Sequence, residues 1–266
     1  MKIALGVEYD GSTFAGWQSQ VHGNTVQDVL EFALSQVAAM PIRTGCAGRT
    51  DSGVHALSQV VHFDAPINRP LSAWVRGANA HLPPTVAVRW AVPVADEFHA
   101  RFSATSRRYR YLLLNRSVRP ALQSGKVGWF HLPLDVAAMA AGAKHLVGEY
   151  DFTTFRAAEC QAKSPVKRLH RASVTRHNDL IVLEFKANAF LHHMVRNMVG
   201  ALVHVGKGSR SPEWIGELLA GRDRAQAAPT FNAAGLYFVG ADYDVGWGLP
   251  RRDAGVEVLE IADYQA

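Results

Sequence analysis

The apolar residues of this chain run through one order of periods and then run through it again, and few folds accommodate that. Ile3, Leu5, Val7 and Tyr9 alternate with Ala4, Gly6 and Glu8, the period of a half-buried strand, and Asp10-Gly11-Ser12 ends it. Val26, Val29, Leu30, Ala33, Leu34 and Val37 recur at helical spacing, with Asn24 or Thr25 placed to cap the helix and Pro41 to close it. A short strand around residues 43–47 and another at Gln59-Val60-Val61-His62-Phe63 flank a polar loop. Leu71, Trp74, Val75 and Ala78 give a second helix, stopped by Pro83-Pro84, and Val86, Val88, Trp90 and Val92 alternate again. The order is β-α-β-β-α-β.

The second half repeats it with longer elements. Residues 105–114 read as a strand, and Asp135 caps a helix with Val136, Met139, Ala140, Ala143 and Val147 at its apolar positions. Two strands joined near His177-Asn178-Asp179 follow, the second carrying Ile181, Leu183 and Phe185. A strongly periodic helix places Leu191, Met194, Val195, Met198, Val199, Leu202 and Val203 on one face. Ser211-Pro212 opens a short extra helix that Gly221 ends, and Gly235-Leu236-Tyr237-Phe238-Val239 is the last strand. Such a pattern predicts an α+β fold of two ferredoxin-like βαββαβ halves, fused edge to edge into one long antiparallel sheet. Helices would cover one face, and a catalytic cleft would open on the other. The expected division is residues 1–104, residues 105–245 and a C-terminal tail, 246–266.

Between two apolar segments of the first half lies Ala47-Gly48-Arg49-Thr50-Asp51-Ser52-Gly53-Val54-His55-Ala56. Gly, Asp, Ser and Thr are ordinary turn residues, so one reading is a turn in which Asp51 caps a backbone amide and pairs with Arg49. The other is a carboxylate displayed beside a guanidinium at a cleft. Lys and Arg outnumber Asp and Glu by 28 to 23, a mild bias that suits a polyanionic partner without requiring one. Cys46 and Cys160 match no metal-ligand spacing, and the N-terminal apolar run is too short for a signal peptide. No apolar stretch approaches the ~20 residues of a membrane span, so a cytoplasmic protein with no membrane association is expected. The sequence also lacks a Walker loop, a dinucleotide fingerprint, His-Glu-x-x-His and Gly-x-Ser-x-Gly.

Arginines and aromatics cluster in Phe98-His99-Ala100-Arg101-Phe102 and in Arg107-Arg108-Tyr109-Arg110-Tyr111. On a strand, Tyr109 and Tyr111 share one face while Arg108 and Arg110 reach the other. Aromatic platforms beside guanidinium groups suit base stacking and phosphate contact, although a core tyrosine with solvated arginines fits as well. His192 and His193 fall on the polar border of the periodic helix. Adjacent helical residues point about 100° apart, a poor geometry for chelating a metal, so no metal site is expected. Arg196 lies beside the apolar stripe, where a guanidinium needs a carboxylate, and Asp51 is the partner to expect unless Arg196 turns to the surface.

Arg49-Thr50-Asp51-Ser52-Gly53-Val54-His55-Ala56, with Gln59 downstream, resembles the signature of the tRNA pseudouridine synthase A family. Further likenesses are Tyr9-Asp10-Gly11-Ser12 with Gly16-Trp17-Gln18-Ser19-Gln20, and Phe102-Ser103-Ala104-Thr105-Ser106-Arg107-Arg108-Tyr109-Arg110-Tyr111. Asp151-Phe152-Thr153-Thr154-Phe155-Arg156 and Phe190-Leu191-His192-His193-Met194-Val195-Arg196-Asn197 complete them, in family order from about residue 2 to 243. One departure is Thr230-Phe231-Asn232-Ala233-Ala234, where the family more often has a proline-rich turn.

The resemblance implies a cofactor-free enzyme that isomerises uridine to pseudouridine at positions 38 to 40 of the tRNA anticodon stem-loop. It also implies a homodimer in which one tRNA spans both subunits. Asp51 matches the catalytic nucleophile, Tyr109 the tyrosine that packs on the target base, and Arg196 the basic partner of the aspartate. Leu236 falls with Tyr109 and Arg196 among the substrate-binding positions. Arg49 matches the arginine that takes the place of the flipped base. Arg69, Phe98, His99, Ala100, Arg101, Phe102, Glu159, Cys160, Gln161, Ala162 and Lys163 fall where the family touches tRNA. The chemistry is compatible: remaking a glycosidic bond through carbon needs a carboxylate that adds covalently or stabilises an oxocarbenium-like sugar. Attack on C6 of the base, attack on C1′ and abstraction of a sugar proton after cleavage all remain open.

Overall fold

A computed structural model describes residues 1–21 and 23–250. The expected tail, 246–266, lies outside the described residues beyond position 250. The first half contains β1 (Lys2–Tyr9), α1 (Val26–Ala38), β2 (Gly45–Cys46), β3 (His55–Asp64), α2 (Leu71–His81) and β4 (Val86–Val94). The second contains β5 (Ala104–Asn115), β6 (Gly128–Phe130), α3 (Val136–Lys144), β7 (Gly148–Asp151), β8 (Val166–His177), β9 (Leu180–Ala187), α4 (Met194–Gly206), α5 (Trp214–Gly221) and β10 (Leu236–Tyr243).

Capping chemistry sets several of these bounds. Thr25, rather than Asn24, accepts the Asp28 amide at the start of α1, and Asp135 accepts that of Ala138 at the start of α3. Ala39 ends α1 in a left-handed conformation ahead of Pro41. Ser211 and Pro212 supply carbonyls to the first amides of α5, which begins two residues beyond the proline.

The strands form one sheet in the order β4-β1-β3-β10-β5-β9-β8-β7, with β2 beside β3 and β6 beside β5. Each half contributes a ferredoxin-like set, and the long ladders are antiparallel as expected. The joint between the halves is not. β10 runs parallel to β3 over Tyr237–His55 and Phe238–Ala56, occupying the edge that a two-residue β2 leaves open.

Side-chain alternation assigns the two faces. Ile3, Leu5 and Val7 pair with Phe63, Val61 and Gln59 and lie under α1 and α2, where Phe63 meets Trp74 at 5.0 Å. Tyr111 and Leu113 pair with Leu183 and Ile181 and lie under α3 and α4. Tyr109 shares their face and borders both cores, so it lies in the gap between the two helical layers. The cleft therefore opens on the helix-bearing face, not on the opposite one, because Asp51 meets the first turn of α4 there. The opposite face carries cross-strand charges instead, with Arg108 and Lys186 on Asp242, and Arg110 and Arg171 on Glu184.

Four segments around the cleft are pinned by His55, which is 2% exposed. The Gly11 amide donates to its Nδ1 at 3.1 Å, Asp10 Oδ1 lies 3.1 Å from the same nitrogen, and Nε2 faces the Gly125 and Ala234 carbonyls at 2.9 and 3.1 Å. The ring stacks on Tyr237 at 4.6 Å. Burial holds its pKa below the usual 6.5, with Asp10 opposing and Lys126 reinforcing the shift. Lys126 in turn contacts Asp10, whose carboxyl is held down to about 2 by that lysine and the Ser12 amide despite the opposing effect of burial.

A histidine kept neutral in the fold accepts a proton more readily when unfolded. Its contribution is complete above about pH 6.5 and is lost as pH falls below that value. Calorimetry should therefore show the thermal midpoint falling between about pH 7.5 and 5. His55→Gln should be less stable at the upper pH and show a flatter decline. An equally steep decline in the variant would assign the effect to other groups.

Candidate active site

The Asp51 loop is held by close backbone approach. A Cβ on Gly11 would sit 1.9 Å from the Val54 carbonyl oxygen, and one on Gly16 (φ +99°) would sit 2.7 Å from that of Thr50. Trp17 donates its amide to Thr50 O at 3.0 Å, and Gly53 donates to Phe14 O at 3.4 Å. Buried Thr50 pairs its hydroxyl with that of Tyr9 at 2.8 Å. Gln59 brackets the other end, accepting from the Gly48 amide and donating to its carbonyl. Residues 11–17 thus form a rigid bed for residues 48–54.

From that bed the Asp51 carboxylate points toward α4. Arg196 Nη1 lies 3.2 Å from Oδ2. His192 Nε2 lies 3.3 Å from Oδ1, and His193 Nε2 lies 3.4 Å from Oδ2. The Asp51 side chain is 21% exposed, so solvent and substrate can still reach it. Arg49 is exposed and absent from the ion pairs of Asp51, and the Val54 amide is held by the Asp51 backbone carbonyl rather than its carboxylate. The simple-turn reading therefore fails, and the expected Asp51–Arg196 pair forms.

The two histidines are not on the helix. They precede α4, and His193 adopts the left-handed conformation (φ 60°) at its N-cap. That reversal turns the rings onto each other, with centroids 4.0 Å apart, instead of splaying them. Asp51, His192 and His193 form the one group among the described residues with metal-ligand geometry, their donor atoms all within 4.8 Å of one another. The Arg196 guanidinium on Oδ2 opposes a dication there, so the arrangement reads as a cage around a carboxylate.

Tyr109 floors the space beside this cage. Its ring meets Phe190 edge-on at 5.0 Å and Phe238 at 5.2 Å. Burial, and then the charge of Asp51, push its hydroxyl well above the usual tyrosine range, so it stays protonated. Arg107, on the same face, donates to the carbonyls of Ala47, Ala104 and Asn188 and contacts that of Arg101, lacing the loops around the cleft together. Arg196 also donates from Nε to Phe231 O at 2.8 Å. Buried Asn197 accepts from Thr230 Oγ1 at 2.7 Å and from Arg224 at 3.2 Å. These bonds define the 230–235 loop that lacks the prolines expected there. Tyr111 donates to Asn232 O at 2.7 Å, and Asn232 caps the short turn over Ala233–Gly235.

The remaining sequence candidates divide by exposure. Leu236 is 4% exposed and belongs to the core under α4. Phe98 and Ala100 are fully buried, Phe98 packing on Trp247 and Tyr243, which leaves His99, Arg101 and Phe102 to face a ligand from that segment. His99 packs on the exposed Phe102 ring at 4.3 Å, and Arg101 lies over that ring at 5.6 Å. Arg69 is exposed ahead of α2. Glu159, Gln161 and Lys163 are exposed, Ala162 half-buried and Cys160 buried. Arg156 shapes that segment by donating to the Cys160 and Ala162 carbonyls, and Cys160 Sγ accepts the His192 amide at 3.4 Å. Arg110, a phosphate-binding candidate by its aromatic neighbours, is instead buried on the opposite face against Glu184.

Comparison with known proteins agrees with this geometry. A family model described as tRNA pseudouridine synthase matches residues 6–103 and 142–244. A tRNA pseudouridine synthase A of Dechloromonas aromatica is 62% identical over 250 residues, covering 94% of this chain and 95% of its own. That of Aromatoleum aromaticum is 61% identical over 261 residues, covering 98% and 99%. A third, from Polaromonas naphthalenivorans, is 55% identical over 263 residues, covering 97% and 100%. With the family model matching most of the chain and relatives this similar over nearly their whole length, the chain belongs to the tRNA pseudouridine synthase family of isomerases.

Proposed function

We propose that this protein isomerises uridine to pseudouridine at positions 38, 39 and 40 of the tRNA anticodon stem-loop, with Asp51 as nucleophile and the target base flipped out of its stack. The observation that carries the reading is the Asp51 carboxylate, one-fifth exposed, held by Arg196 beside the ring of Tyr109. The reaction breaks N1–C1′ and forms C5–C1′, while C5 loses a proton and N1 gains one. An ionised carboxylate serves every route to that outcome, whether by covalent addition or by stabilising positive charge on the sugar. Tyr109 supplies an apolar surface for the extruded base and a hydroxyl that remains a donor. Arg49, exposed on the same loop, fills the space the base vacates, offsetting part of the few kcal/mol that unstacking costs. A glycosidase would instead need a second carboxyl group about 5–10 Å away, whereas the side chains meeting Asp51 are a guanidinium and two imidazoles.

In this reading His99, Arg101, Phe102, Arg69, Gln161 and Lys163 contact tRNA, and one tRNA spans a cytoplasmic homodimer. Among the described residues no helix is long and apolar enough to cross a membrane. Sedimentation at several salt concentrations should find a dimer bound to tRNA, with affinity falling steeply as salt rises. A salt-independent affinity, or a fully active monomer, would count against this arrangement.

Asp51→Asn should abolish single-turnover pseudouridine formation while tRNA affinity holds or rises. The amide is nearly isosteric and removes a negative charge facing the phosphates. Appreciable turnover by the folded variant would end the nucleophile assignment.

Tyr109→Phe keeps the stacking surface and loses the hydroxyl, whereas Tyr109→Leu loses both. Turnover should fall in the order wild type, Phe, Leu. Equal rates in all three would make Tyr109 a packing residue only.

A further inference from the structure

The Asp51 cage contains two groups for which the chemistry above has no assigned use. His192 and His193 approach different oxygens of the carboxylate, at 3.3 and 3.4 Å. Oδ2 meets both His193 and Arg196, while Oδ1 meets His192 alone. We infer that His192 and His193 are positioning residues that fix the orientation of the Asp51 carboxylate, anchoring Oδ2 and leaving Oδ1 as the reacting oxygen. This rests on the reading of Asp51 as the nucleophile.

The backbone around the pair is organised for that placement. The His192 amide is taken by Cys160 Sγ and its carbonyl by the Ala157 amide, so the 157–160 segment clamps it from outside the helix. His193 holds a left-handed conformation that non-glycine residues adopt at some cost, and its carbonyl accepts the Asn197 amide to start α4. Without that reversal the two rings could not both face one carboxylate. Separations of 3.3–3.4 Å are long for hydrogen bonds, as catalytic contacts often are before substrate closes a site.

Charge decides which form the rings take. Burial lowers the pKa of His193, and the neighbouring His192 and Arg196 lower it further, while Asp51 and Glu159 oppose them. A neutral ring facing a carboxylate must present N–H rather than a lone pair, which places the proton on Nε2 and leaves Nδ1 free. Protonation of the His193 Nδ1 at lower pH would turn an N–H donor on Oδ2 into a full cation and draw charge from the carboxylate. The rate of the chemical step should then fall on the acid side as His193 charges.

The test is single-turnover pseudouridine formation with saturating enzyme, measured from about pH 5 to 8.5, across the range where histidines titrate. Substituting both residues by alanine should slow the step about 10- to 100-fold, the range expected when one or two contacts to a charged group are lost, with tRNA affinity held. Glutamine at each position offers an N–H donor that does not titrate. The His192→Gln and His193→Gln variants should recover much of the alanine loss, and His193→Gln should show a weaker acid limb than wild type. Wild-type rates in the double alanine variant, or an unaltered acid limb in His193→Gln, would overturn the inference. Ring titration by NMR checks the contact without turnover, because Asp51→Asn should lower the titration point of His193, and no change would show that the ring does not face the carboxylate. Asp51→Asn also separates the two claims. Turnover in that variant ends both, whereas an inactive Asp51→Asn beside a fully active double alanine variant ends this one alone.

Discussion

Two residue pairs of parallel ladder, Tyr237 with His55 and Phe238 with Ala56, join the halves of the sheet, and the site depends on that register. Asp51 belongs to the first half and Arg196 to the second, 145 positions apart in sequence. Neither half alone contains the ion pair. A slip of one residue in β10 would turn Phe238 to the opposite face, withdrawing it from Tyr109 and putting Tyr237 in its place. His55 resists such a slip by bridging Gly11 in one half and Gly125 and Ala234 in the other. The register is thus enforced by a buried polar pin as well as by apolar packing.

Across this joint the chain sets a carboxylate against a guanidinium and two imidazoles. A partly buried ion pair adds little net stability, because desolvation offsets much of the attraction. What it secures is orientation: the Arg196 guanidinium is itself fixed by the Phe231 carbonyl, and that loop by Asn197. Tyr109 completes the electrostatics by staying protonated beside Asp51. A second anion there would repel the Asp51 carboxylate itself.

Much of this was legible in the sequence because period and capping are local. The strands of both halves, α1 to α4 and the Asp51–Arg196 pair follow from alternation, helical spacing and the cost of an unpaired guanidinium. The failures share a cause, which is that tertiary placement overrides local pattern. β6 and β7 are short and lack sustained alternation, so they exist only because β5 and β8 offer edges. His192 and His193 look helical by position, and a single left-handed residue gives them a different role. Phe98 and Ala100 sit in a basic aromatic run yet are buried, and Arg110 lies within another but meets Glu184 across the sheet. The face of the cleft could not be read either, because alternation gives two faces without saying where the neighbouring half places its helices.

The bed beneath Asp51 explains why so short a loop can hold its carboxylate in one place. A side chain on a mobile loop would have to be ordered each time a ligand arrives, and ordering backbone costs about 1–2 kcal/mol per residue. Here Gly11 and Gly16 let one backbone segment lie directly against another, and the Tyr9–Thr50 and Gln59–Gly48 bonds leave the loop few alternatives. The ordering is complete when the chain folds. On the proposed base-flipping route it is the RNA that changes shape on binding, so rigidity on the protein side leaves more of the binding energy for that distortion. The glycines that look like simple turn formers are therefore supports of the Asp51 loop, because a Cβ at either one would lift that loop off its bed.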